Sequence, residues 1–168
     1  MRFIDFLNES NRKPKQLRRL SLTESKYTVR PKTTKELARI IKDHCEENGW
    51  DSDLNFIDTS LITDMGCLFC GDPDIGYGLG KFNGDISQWN VSNVKNMDQM
   101  FEDAEKFNQP LNNWDVSNVR DMSYMFFREK SFNQPLDKWD VSNVKYMKGM
   151  FKGSKLEIND NLPDWYEE

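Results

Sequence analysis

Large apolar residues recur through the second half of the chain in an order that no single period describes. In FNQPLNNWDVSNVRDMSYMF, Phe107 to Phe126, they are separated by Asn, Asp and Ser at uneven intervals. Neither the alternation of a strand nor the 3.6-residue recurrence of one amphipathic helix covers the stretch. The pattern resolves when the chain is compared with itself. FNGDISQWNVSNVKNMDQMF begins at Phe82 and FNQPLDKWDVSNVKYMKGMF at Phe132, each 25 residues away. Trp89, Trp114 and Trp139 fall in register, as do Met97, Met122 and Met147, and Phe101, Phe126 and Phe151. A degenerate copy starts at Trp50 and places Leu54, Ile57, Thr59, Ile62, Met65, Leu68 and Phe69 at matching positions. Seven extra residues then make CGDPDIGYGLGK a loop insertion. Downstream, Ile158, Leu162 and Trp165 keep the spacing of a unit cut short.

The spacing inside one unit predicts two elements. Leu111-x-x-Trp114-x-Val116-x-x-Val119 has the apolar spacing of a leucine-rich repeat, with a short strand around Trp114–Val116. Val119, Met122 and Phe126 then stand at i, i+3 and i+7, one face of a short helix. Asp64, Asn96 and Asp121 precede that helix as caps, and Tyr146 breaks the rule. Stacked neighbours bury an apolar edge that no unit can bury alone. The expected fold is therefore α/β, a leucine-rich-repeat-like solenoid of 25-residue strand-plus-short-helix coils with an N-terminal capping helix. Residues 33–49 supply that helix: Thr33 with Glu36 forms a capping-box pattern, Leu37, Ile40 and Ile41 an apolar face, and Gly49 a stop. The expected organisation is a basic arm over 1–32, the helix over 33–49, four units over 50–156, and a partial fifth unit with a C-terminal cap over 157–168.

The strings FNQPLxxWDVSNVxxMxxMF and LNFIDTSLITDMGCLF resemble the BspA-like leucine-rich-repeat family, also known as mycoplasma-type surface-protein repeats. The resemblance covers about residues 34–166. It implies a scaffold for protein recognition, often displayed on a cell surface, and no enzymatic activity. The opening MRFIDFLNES is similar to short N-terminal segments of tailed-phage proteins.

Charge adds an asymmetry. Residues 1–35 hold ten Lys/Arg against three Asp/Glu, whereas the remainder holds thirteen against twenty-five. A basic head on an acidic body suggests an arm that meets something acidic, a partner or its own domain. No segment has the eighteen apolar residues of a membrane span, and Asp5 interrupts the opening apolar run, so no signal peptide is read there. The chain as it stands is expected to be cytoplasmic, although the family resemblance implies a cell surface. Three cysteines argue against a disulfide framework.

Candidate site residues fall into two groups. Asp58, Asn90, Asp115 and Asp140 recur once per unit and are expected to line one exposed strand face. Each can accept from a backbone N–H two residues on, a structural role, or can meet a basic partner. Tyr124, Phe127, Arg128 and Tyr146 stand where the units disagree, and aromatics with Arg are the composition of binding hot spots. Carboxylates repeated in register share one environment, which does not separate an acid from a base, so no catalytic residue is assigned. No cofactor is expected. A metal is not expected either, zinc on Cys67, Cys70 and His44 being the weaker alternative. GYGLG lacks the Lys-Ser/Thr of a phosphate loop. The basic arm has only Tyr27 between Asn8 and Pro31 for base stacking, which argues against nucleic acid. The expected function is a non-enzymatic protein-binding module. Its alternatives are an intracellular, phage-encoded inhibitor whose acidic face blocks a basic surface of a host nucleic-acid-binding or defence enzyme, and nucleic-acid binding through the arm.

Overall fold

The computed structural model describes residues 29–167. Helix α1, Thr34–Asn48, starts where the Thr33 hydroxyl accepts the Glu36 N–H at 3.2 Å and the Glu36 carboxylate accepts the Lys32 N–H at 2.9 Å. It ends at Gly49, whose φ of 99° suits glycine and whose N–H donates to the Cys45 carbonyl. Leu37, Ala38, Ile41 and Cys45 are its buried face. They close over the first repeat unit, and Thr34 Oγ1 donates to the Asp64 carbonyl at 2.7 Å. A one-turn helix, α2, Lys155–Ile158, follows the fourth unit behind its cap Ser154.

The repeat units are built from tight turns, which corrects the expected α/β solenoid of strand-plus-helix coils. Among the described residues there are two helices and no sheet. Strand-type pairing is confined to isolated parallel bridges of Val29 with Ile57, Asp64 with Asn96, Asn96 with Asp121, and Asp121 with Tyr146. The strand expected at Trp114–Val116 is absent because Leu111 and Val116 each open a turn. Trp114 N–H donates back to Leu111 and Val119 N–H to Val116, leaving no extended run. The expected helix is absent for a backbone reason. Gln99 and Asp103, and likewise Tyr124 and Arg128, have φ of 50–55°, and a right-handed helix cannot pass through left-handed residues. Each is the third residue of a turn closed by its neighbours, such as Met122–Met125, the position that needs positive φ in a type II turn.

The N–H groups that do not close turns join the units. Those of Met97, Gln99, Phe101 and Asp103 donate to the carbonyls of Asp121, Ser123, Met125 and Phe127 at 2.9–3.0 Å. Met65, Cys67, Phe69 and Gly71 do the same to the second unit, and Met122, Tyr124, Phe126 and Arg128 to the fourth. Side chains follow this register. Phe69, Phe101, Phe126 and Phe151 stack with centroids 5.4, 5.4 and 5.6 Å apart and rings within 7° of parallel. Trp89, Trp114, Trp139 and Trp165 each donate Nε1–H to the carbonyl of Leu54, Ile86, Leu111 and Leu136 in the unit before, at 2.9–3.1 Å. Asn93, Asn118 and Asn143 bridge the same gaps by donating to the carbonyls of Ser60, Ser92 and Ser117. The repeated letters are thus contacts between neighbouring units.

Of the basic arm expected over 1–32, residues 1–28 lie outside the described residues. Val29 lies against the first unit: the Asp58 N–H donates to its carbonyl at 2.8 Å, and Arg30 meets the Asp58 carboxylate at 3.0 Å. No helix among the described residues is long and apolar enough to cross a membrane.

Candidate protein-binding face

Asp58, Asn90, Asp115 and Asp140 have no strand face to line. Each opens a turn in which its side-chain oxygen accepts the N–H two residues on, from Ser60, Ser92, Ser117 and Ser142 at 3.0–3.2 Å. Ser117 Oγ adds a second donor to Asp115 at 2.6 Å. At Asp140 the two bonds from Ser142 hold the carboxyl below its ordinary range. Burial pushes Asp58 up, but the Ser60 bonds and Arg30 outweigh it and leave its carboxyl lowered. Asn90, Asp115 and Asp140 remain exposed, whereas Asp58 is half-buried beneath Arg30.

The second group divides. Tyr124, Phe127 and Arg128 form one cluster on the turn ladder. Tyr124 and Phe127 meet edge to face at 5.6 Å, and the Arg128 guanidinium lies 4.7 Å from the Phe127 ring centre. Arg128 also donates to Asp103 at 2.7 Å and lies 3.7 Å from Glu102, so its fork is held by the preceding unit. The Tyr124 ring lies over Gly149, where a Cβ would come within 2.9 Å of it. Tyr146 is 63% exposed, one unit on, and touches none of these rings among the described residues.

The same face carries a charge gradient. Asp98 in the second unit is pushed up by burial and then by Asp121, Glu102 and Asp64. At the matching positions the fourth unit has Lys148 and Lys152. Between Asp64 and Asp121 the bridge column places Asn96, whose amide donates to Asp64 at 3.0 Å. A neutral donor there separates two like charges.

Zinc is not supported by the placement of its candidate ligands. His44 packs on Phe56 at 5.0 Å, Cys67 faces Gln99, and burial raises the Cys70 thiol to about 11. No group of three His, Cys, Asp or Glu that could hold a metal is found among the described residues. One residue was not singled out from the sequence. Glu129 is fully buried and accepts from the N–H groups of Ser131 and Phe132. Its signal was available, since the matching positions hold the small residues Ala104 and Ser154.

Residues 37–165 match the model of a family described as Mycoplasma protein of unknown function, DUF285. None of the curated proteins and none of the solved structures compared with the chain matches it.

Proposed function

The chain belongs to the family of Mycoplasma proteins of unknown function, DUF285, and from that premise we propose that it is a BspA-like repeat protein that binds another protein and does no chemistry. One observation carries this reading. The repeat is kept at the stacked Phe and Trp positions that bury unit against unit, and it is broken at Tyr124, Phe127 and Arg128, which converge on one partly exposed cluster. Neighbour packing does not demand those residues, because Gln99, Glu102 and Asp103 occupy the same register in the second unit. Aromatic rings with a fixed guanidinium offer contact area at small entropic cost, since Arg128 is already held by Asp103.

The test is the double variant Tyr124→Ala with Phe127→Ala, used as bait beside the unaltered chain. Melting and circular dichroism should show it folded, and a partner captured by the unaltered chain should bind it at least tenfold more weakly, the loss of about 1.4 kcal/mol or more. Equal affinity for the folded double variant removes this cluster as the binding site.

A further inference from the structure

The ladder runs out of acceptors at the fourth unit while donors remain. By register, Met147, Gly149 and Phe151 correspond to Met122, Tyr124 and Phe126, whose N–H groups all donate to the next unit. Among the described residues nothing accepts from Met147, Gly149 or Phe151, and the fourth N–H of the row, Gly153, is taken by the Glu157 carboxylate at 2.7 Å. The apolar edge is open at the same place. Val116, Val119 and Met122 are buried in the third unit, but Val141, Val144 and Met147 are only partly buried, whereas Phe151 is covered by Trp165 and Tyr166. Unpaired donors beside an apolar strip are the usual template for adding another chain.

Charge and hydrogen-bond polarity choose the occupant. A second copy meeting this end with its own would set donors against donors. The other end of the ladder is covered by α1, whose Leu37, Ala38, Ile41 and Cys45 are buried and whose Thr34 occupies the Asp64 carbonyl. The chain's own residues 1–28 carry seven Lys/Arg against three Asp/Glu. They would bring positive charge to a unit that holds Lys138, Lys145, Lys148, Lys152 and Lys155 against Asp137 and Asp140. The required partner supplies carbonyls at alternate residues, carboxylates toward the lysines, and apolar side chains toward Val144 and Met147.

We propose that this open end takes an acidic segment of another protein as one further unit, its carbonyls accepting from Met147 and Gly149 and its carboxylates facing Lys148 and Lys152. The Tyr124 ring borders this surface at Gly149, but the inference does not rest on binding by that cluster.

The chain contains a suitable probe. Residues 94–105, VKNMDQMFEDAE, present the carbonyls of Asn96, Asp98, Met100 and Glu102 to the first unit and carry four acidic side chains. A fluorescein-labelled synthetic peptide of that sequence is titrated into the full chain and followed by anisotropy and amide exchange. Saturable binding is expected, with slowed exchange at Met147 and Gly149. Lys148→Glu with Lys152→Glu should weaken it at least tenfold, while Phe127→Ala should leave it unchanged. Absence of saturation overturns the proposal. So does equal binding of a scrambled peptide of the same composition, or unchanged exchange at those two amides.

Discussion

Glu129 holds a carboxyl group at a fully buried position where the neighbouring units have Ala104 and Ser154. Burial disfavours its charged form and raises it from 4.5 to about 7, against the N–H groups of Phe132 and Ser131 and the charge of Lys155, which pull it down. A raised folded value means that the folded state binds the proton more tightly than the unfolded one. The associated stability is fully present below pH 4.5 and is lost as pH rises toward 7. The loss across that window is on the order of 2–3 kcal/mol. Urea midpoints measured between pH 4.5 and 7 should therefore fall as pH rises. Glu129→Gln, which stays neutral, should flatten the fall; an unchanged slope in the variant would show that other groups cause it.

Left-handed residues decide what each repeat element becomes, and they also decide how much of it was legible. The fourth unit has Gly149 and Gly153, with φ of 60° and 72°, where the second and third have Gln99, Asp103, Tyr124 and Arg128 at 50–55°. In the sequence those glycines read as ordinary variation, and apolar spacing at i, i+3 and i+7 suggested a helix that their φ angles forbid. Periodicity counts side chains on a face and is blind to the sign of φ. By contrast α1 carried its own local signals, a hydroxyl at Thr33, a carboxylate at Glu36 and glycine at its end, and each makes a bond that defines the helix. For the candidate site, the D-x-S pattern disclosed the Asp115–Ser117 turn, whereas the Tyr124–Phe127–Arg128 cluster depends on how successive turns fold back. Gly149→Ala tests the backbone account. An alanine there is left-handed, and its Cβ falls 2.9 Å from the Tyr124 ring. A loss of about 1–2 kcal/mol is expected from the backbone alone. Adding Tyr124→Ala should relieve the clash but leave that loss in place, as read from urea unfolding of both variants.

Across the whole molecule, one bond type recurs four times under graded burial, so its cost reports where the body is closed. Trp89, Trp114 and Trp139 are each 4% exposed and tie one unit to the previous one through an indole N–H, whereas Trp165 makes the same bond at the partly open end. Replacing a buried indole by phenylalanine keeps a ring in place and removes one of the two donors to the carbonyl of Leu54, Ile86 or Leu111, which keeps its backbone N–H partner. Losing one such hydrogen bond costs about 0.5–1.5 kcal/mol net. Trp165 is only partly buried, and the cost there should be smaller. Because backbone bonds run from Met65 through Lys152 without interruption of register, the units should unfold together. Trp114→Phe should thus lower the single urea midpoint seen by both tryptophan fluorescence and circular dichroism, and Trp165→Phe should lower it less. If Trp114→Phe splits the transition into two, the units are separate cooperative bodies. If Trp165→Phe costs as much as Trp114→Phe, the C-terminal end is closed and cannot accept a further unit.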